Sequence, residues 1–354
     1  MEIHYKKKEL QQKQEKVNTD IHLERNSALQ KRRRRLFIVC IFLLIVSLVY
    51  GLTTGSVTIS LTDVLGALKG NQATVEHQIV WNLRLPRLLT GLLVGMCLAV
   101  SGALLQGIMR NPLADPGVIG VSAGAGLVAI ITMLIFPEHM NLLPLGAFLG
   151  AFIAATFVYL VAWDGGVSPL RLILAGVAIN TLLGAITSAV MIIHSDKVQT
   201  VLPWLMGGLS ERSWPHLKII LPYAVIGLTI ALFASRPANI LRLGDNAAKL
   251  IGYNVERNRF FLLLLSTFLA GAAVSVAGLL GFVGLVIPHI VRLLIGDDYR
   301  YLIPMSMLFG GILVVFADTV ARSWFEPIEL PVGILLATIG APFFLFLLRK
   351  GKVI

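Results

Sequence analysis

The sequence predicts an all-α polytopic membrane protein of about ten transmembrane helices, with both termini in the cytoplasm. Three observations carry that expectation. The 354-residue chain is 56% hydrophobic and only 14% charged, where soluble domains are about one quarter charged. Its charges are absent from long stretches: 88–109, 116–137, 140–163, 172–193 and 260–288 contain no Asp, Glu, Lys or Arg. A hydrocarbon core about 30 Å thick needs roughly 20 apolar residues of helix, and these runs supply that length. They do not alternate polar with apolar residues, which excludes a transmembrane β-barrel.

The elements follow in order. Residues 1–35 form a polar tail in which 11 Lys or Arg face 5 acids, a surplus of +6 within the chain's net +11. Its last stretch, "KRRRR" (Lys31–Arg35), abuts the first apolar run. That placement fits a cytoplasmic anchor under the positive-inside rule; binding to nucleic acid or anionic lipid is the competing reading. The apolar run begins too late, and lacks the small-residue pattern, for a cleaved signal peptide. Cys40 and Cys97 lie inside apolar runs and imply neither a disulfide framework nor a zinc site.

Span 1 is expected over 36–53, followed by a more polar outer segment, 55–81. Span 2 begins near "LRLPR" and runs to Met109; span 3 covers 120–136, span 4 142–161, span 5 170–193 and span 6 219–233. Between spans 6 and 7 lies the most polar internal loop, 235–259, with Arg236, Arg242, Lys249, Arg257 and Arg259. The charge bias puts it in the cytoplasm. Its spaced apolar residues, Ile240, Leu241, Leu243, Ala247, Leu250 and Ile251, predict one or two short helices outside the bilayer. The stretch 260–295 is long for one span and short for two. Both "ERNR" and the C-terminal "RKGK" are expected in the cytoplasm, which requires an even number of crossings between them. A break at Gly278, Gly281 and Gly284 then leaves a short span 8 at 285–294, with span 9 at 302–319 and span 10 at 332–348. In register, Gly95, Val100, Gly102 and Pro112 of the first half align with Gly271, Val276, Gly278 and Pro288 of the second. Five spans per half would make such a repeat inverted.

Several chemistries can be set aside. No G-x-x-x-x-G-K-[ST] phosphate loop occurs, so the chain does not hydrolyse ATP by that route. "GVSAG" (Gly120–Gly124) matches the hydrolase elbow around Ser122, but that motif needs a strand–turn–helix and here it opens a membrane helix. Small residues that let helices approach are the competing reading. Asp297 and Asp298 fall at a predicted membrane edge, against an intramembrane aspartyl protease. His289, after Pro288, reads as a packing histidine, with a ligand or gate role as the alternative. No His or Cys spacing suits a metal. An ion-coupled transporter would need ionisable groups in mid-span, and the charge-free spans have none.

Five stretches together carry a resemblance. They are "LRLPRLLTGLLVGMCLAVSGALLQGIMRNPLADPGVIGVSAGAG", "RLILAGVAIN", "LRLGDNAAKLIGYNV", "GFVGLVIPHIVRLLIGDDYRYLIP" and "ELPVGILLATIGAPFFLFLLRK". Over about 36–348 the chain resembles the permease subunit of ABC importers for iron–siderophores, haem and vitamin B12. The resemblance implies the type II importer fold: a cytoplasmic tail at 1–35, a ten-helix permease domain at 36–349 and a cytoplasmic end at 350–354. It implies a second permease subunit, ABC ATPase subunits that carry the ATP and magnesium, an extracytoplasmic substrate-binding protein, and a surround of membrane lipid. Neither nucleic acid nor a cofactor of the chain's own is expected.

The resemblance also assigns residues. Leu243, Gly244, Asp245, Ala248 and Gly252 fall in the loop that couples such permeases to their ATPase. Asn246 stands where an acid is common, and Tyr253 where a small aliphatic residue is common. Arg84 and Arg322 fall where acidic residues of the binding protein dock, a task that suits the planar guanidinium fork; without the resemblance they read as snorkelling arginines. Asn111, Pro112 and Leu113 fall in the turn that gates the cytoplasmic end of the pathway. In that turn Asn111 and Asp115 are expected to stay wet while Leu113 points inward. Gln106, Asn180 and Ser188 are pathway candidates because they are polar within spans.

Overall fold

Where water is absent, a backbone can satisfy its own polar groups only as helix or as closed barrel. The computed structural model describes residues 29–70, 74–325 and 328–349, and these are helical apart from turns and one isolated bridge between Trp163 and Val167. The expected chain end at 350–354 and the first 28 residues of the tail lie outside the described residues.

Helix α1 spans Leu29–Thr53. The basic run Lys31–Arg35 is therefore already helical and continuous with the first span, whereas the sequence had suggested a tail up to residue 35. The outer segment then folds as a short helix, α2 (Leu61–Leu68), whose start is capped by Ser60 accepting from the Asp63 amide at 3.2 Å. α3 runs over Val75–Met109, about two turns earlier than "LRLPR" predicts. The extra length contains a π-helical stretch, Gln78–Arg84, which turns Arg84 inward before Pro86 resumes the α-helix.

The remaining helices are α4 (Val121–Ile135), α5 (Leu143–Val161), α6 (Pro169–Ile193), α7 (Val198–Met206), α8 (Trp214–Phe233), α9 (Ser235–Arg242), α10 (Asp245–Leu250), α11 (Val255–Ala277), α12 (Val283–Ile295), α13 (Tyr299–Ser323) and α14 (Val332–Arg349). Among the described residues seven helices are long and apolar enough to cross a membrane, and three shorter apolar ones, α4, α12 and α14, complete the ten expected spans. The polar loop 235–259 holds two short helices, α9 and α10.

The break expected near Gly278 is present. α11 ends at Ala277, Gly278 takes a positive φ of 70°, and α12 resumes at Val283. This irregular backbone is not left unpaired: Gly208 donates to the Ala277 carbonyl at 2.8 Å, and Leu279 donates to the Trp204 carbonyl at 3.4 Å. Unwound chain is tolerated at such depth where other protein covers it.

α3 and α11 form the centre; most of their residues are buried. Their glycines explain how neighbours come so close. A Cβ on Gly95 would sit 2.2 Å from the Gly310 carbonyl oxygen of α13, so that pair of backbones touches only because both residues lack side chains. The partner of Gly95 in the internal repeat, Gly271 on α11, backs onto Phe148 and Ala151 of α5. α13 and α5 are spans 9 and 4, so the two contacts correspond under a five-span repeat.

Candidate functional site

The helix ends gather the charges into two rims. One, the cavity rim, collects the ends of α1, α4, α7 and α13 and the starts of α3, α5, α8 and α14. Here a cavity of about 980 Å³ is lined by Arg84, Arg87, Arg212 and Arg322 among the cations and by Glu211 and Glu329 among the acids. Arg87 is the fixed point. It grips Asp318 of α13 with two donors, Nε at 2.8 Å and Nη2 at 3.0 Å, and reaches Glu329 with Nη1 at 2.9 Å. Asp318 is 1% exposed, and a carboxylate so buried survives only with a paired guanidinium. Glu329, which precedes α14, also accepts from Ser210 at 3.2 Å. Burial works to raise its carboxyl, but the Arg87 guanidinium prevails and holds it below the ordinary carboxylate range.

Arg84 and Arg322 meet at this rim. Arg84 donates from Nη1 to the Leu52 carbonyl at 2.6 Å and from Nη2 to the Val57 carbonyl. Arg322 donates from Nη2 to the Gly51 carbonyl at 2.8 Å, while its buried Nε has no partner. Both guanidinium groups face Gly55, where a Cβ would lie 3.0 Å from one and 3.1 Å from the other. They are buried, so each caps the end of α1 while it lines the cavity. The Arg212 guanidinium stands between them and α11, donating from Nε to the Val276 carbonyl at 2.6 Å; burial lowers its pKa from the ordinary value.

The opposite, basic rim carries the coupling-loop and gate residues. α3 stops at Arg110, whose backbone is left-handed (φ 47°). Asn111 follows, its side chain accepting from the Leu113 amide at 2.9 Å, and Leu113 is exposed rather than turned inward within this single chain. Asp115 caps a 3-10 turn, Pro116–Ile119, by accepting from the Gly117 amide at 2.8 Å. Burial raises the Asp115 carboxyl and that amide pulls the other way; Asn111 and Asp115 are both half-buried.

The pathway candidates separate. Asn180 donates to the Gly117 carbonyl at 2.9 Å, tying α6 to the gate turn. Four residues earlier on the same helix, a Cβ on Gly176 would lie 1.9 Å from the Val118 carbonyl oxygen, so glycine is what lets α6 reach that turn. Gln106 is buried and structural: it donates to the Leu285 carbonyl at 3.1 Å and accepts from Arg292 at 3.0 Å, joining α3 to α12. Ser188 is exposed on α6, a helix that this chain leaves largely uncovered although it is apolar.

Within the coupling loop, Gly244 (φ 101°) and Gly252 (φ 74°) make the turns on either side of α10, and Ala248 is fully buried beneath it. Leu243, Leu250 and Ile251 point out, exposed by 65%, 88% and 64%. Such adjacent bare apolar side chains on a polar loop form a patch that a partner would cover. Asp245 turns back into the protein. It accepts two donors of Arg259 Nη2, at 2.8 and 2.9 Å, and one of Arg110 at 2.7 Å. Arg110 is not distinguishable as special in the sequence, because the charge it meets lies in another segment.

Asp297 and Asp298 are occupied by structural tasks. Asp297 pairs with Arg242 at 2.6 Å and with Arg292 at 3.1 Å, and Asp298 caps α13 while accepting from Asn239 at 2.8 Å. Ser122 opens α4 beside Gly117. No cluster of three or more His, Cys, Asp or Glu among the described residues could hold a metal.

Ten apolar helices, two charged rims and a protruding loop suit a transport subunit, and comparison with known proteins gives the lineage. The FecCD transport family profile matches residues 43–350. The chain belongs to this family. It is 42% identical to the Fe(3+)-citrate import system permease protein YfmD of Bacillus subtilis, over 90% of this chain and 96% of that one. It is 41% identical to the hemin transport system permease protein HmuU of Yersinia pestis, over 77% and 84%. A solved metal-chelate type ABC transporter in an inward-facing conformation superimposes with a TM-score of 0.81 at 32% identity, covering 90% of this chain and 99% of that one. This FecCD protein is therefore a multi-pass permease of an ABC importer in the cytoplasmic membrane, not an enzyme. Its fold is that of the type II importer permeases.

Proposed function

We propose that this permease carries a ferric siderophore complex across the cytoplasmic membrane, with the basic rim inward and the cavity rim outward. The observation that supports it best is the electrostatics of the cavity: four arginines against two glutamates line it, and Arg322 keeps an unpartnered buried N–H. A concave surface with a surplus of positive charge attracts anionic groups, both a ferric chelate and the acidic residues of an extracytoplasmic binding protein. The 40% identical YfhA of Bacillus subtilis, described as a probable siderophore permease, supports the same substrate class, as does YfmD. Haem and cobalamin are the alternatives, since HmuU and a 45% identical archaeal BtuC carry those descriptions.

In this reading a second permease copy covers the bare face of α6, and ATPase subunits, which hold ATP and magnesium, seat on Leu243, Leu250 and Ile251. Asn111, Pro112 and Leu113 close the inner end. Arg84 and Arg322 receive carboxylates from the binding protein's lobes.

The test is uptake of iron in a deletion strain across a panel of ferric siderophores and ferric citrate, with the chain supplied in trans. Restored uptake of at least one ferric chelate is expected. Restoration by haem or cobalamin alone overturns the substrate. In nanodiscs, Arg84→Glu combined with Arg322→Glu is expected to weaken binding-protein docking by about tenfold or more, from like-charge repulsion; unchanged affinity removes the docking role.

A further inference from the structure

Arg259 is 1% exposed at the first turn of α11. Its guanidinium joins three segments. Nη2 holds both oxygens of Asp245 in the coupling loop; Nη1 holds Glu256 at 3.0 Å and the carbonyl of Val167, in the link between α5 and α6. Glu256 returns to the same link by accepting from the Val167 amide at 3.1 Å. This side of Asp245 is thus anchored by a buried, multiply bonded group. The other side is different. Arg110 makes a single contact to Asp245 Oδ1, and the side chain is 35% exposed. Arg110 also holds a left-handed backbone, one of only three non-glycine residues with positive φ among those described. It sits where α3 turns into Asn111–Leu113. A bulky residue pays for that conformation, and here the conformation brings the guanidinium over Gly244, whose Cβ position lies 3.3 Å from Nη1.

We propose that Asp245 is a shared carboxylate latch: Arg259 fixes it to the membrane domain, and Arg110 is a positioning residue that ties the gate turn to the ATPase-facing helix α10 through it. The inference rests on the assignment of α10 to the ATPase and of Asn111–Leu113 to the gate. The two arginines have unequal jobs. The buried bidentate side persists through a rigid-body shift of α10, and the exposed single contact is the one such a shift makes or breaks. Movement of the ATPase-facing patch then reaches α3 directly rather than by diffuse packing.

The experiment uses the full complex of this permease with its ATPase and binding protein in nanodiscs, with Leu113→Cys as a reporter; the native Cys40 and Cys97 are buried. Maleimide labelling of the reporter is timed with and without ATP and vanadate, beside ATP hydrolysis. With native Arg110, the labelling rate is expected to depend on nucleotide. Arg110→Gln should cut that dependence by about tenfold, the scale of one lost charge-assisted hydrogen bond, while hydrolysis continues. Arg110→Lys, which can still reach one oxygen, should restore part of it; a merely structural role would not give that rescue. Arg171→Gln, which removes the peripheral pair with the 82% exposed Asp164, should behave as native. A nucleotide response in Arg110→Gln equal to the native one overturns the latch. If the reporter ignores nucleotide even with native Arg110, the gate assignment itself falls and the latch with it. Should Arg110→Gln fail to assemble, Asp245→Asn is read in the same assay with the same two outcomes.

Discussion

The two rims of this permease use arginine in opposite ways. At the cavity rim Arg87 is bound to an acid that is itself buried, Asp318, and Arg84 and Arg322 are spent on carbonyls at the end of α1. At the basic rim the arginine is the buried partner, and the acids it serves, Asp245 and Glu256, each keep 29% of their side chains in solvent. The first arrangement cannot open without stranding a charge. The second can open at its Arg110 contact, where both side chains are part-exposed and are rehydrated when they part, while the buried Arg259 stays paired. A rim built for a fixed shape and a rim built for motion differ in whether the acid of the ion pair is buried.

The largest effect should come from breaking the fixed rim. Arg87→Ala leaves the Asp318 carboxylate uncompensated, and should cost about 3–5 kcal/mol of stability. Arg259→Ala releases only half-exposed acids and should cost less, about 1–3 kcal/mol. Thermal unfolding of the two variants side by side in the same detergent checks this; equal losses would erase the distinction.

A smaller effect sharpens it through pH. The Glu329 carboxyl is depressed in the folded protein, so its contribution to stability is complete above the ordinary carboxyl pKa of about 4.3 and is lost as pH falls through the lower folded value. Glu329→Gln should therefore lower stability at neutral pH, flatten the acid side of the melting curve and converge with the native protein at low pH. Because Glu329 is 43% exposed, the difference should stay below about 1 kcal/mol. The smallest effect belongs to Arg171→Gln, whose exposed pair with Asp164 should contribute no more than about 0.5 kcal/mol to the same melt.

Particular residues show how far sequence reasoning reached. The break at Gly278 was legible because an apolar stretch of intermediate length has to be divided somewhere. Gly244, Asp245 and Gly252 were legible through the resemblance carried by "LRLGDNAAKLIGYNV". Arg87 was not. Its partner Asp318 is far along the chain and nothing near either residue announces the other. Gln106 illustrates the converse: a polar side chain inside a span suggests a pathway, yet its amide is taken up by the α12 backbone and by Arg292. The π-helical stretch at Gln78–Arg84 also escaped, because it differs from α-helix by hydrogen-bond register and not by composition.

The sequence by itself determined the number and order of spans, the apolar character of each and the family, because a backbone in hydrocarbon must satisfy itself locally and that demand is written in consecutive residues. Only the tertiary structure decided which charges meet. Arg110, Asp245 and Arg259 come from the end of one span, a loop and the start of another. Their pairing follows from the packing of the end of α3, α10 and the start of α11, and from the burial that makes an unpaired Arg259 too costly to leave.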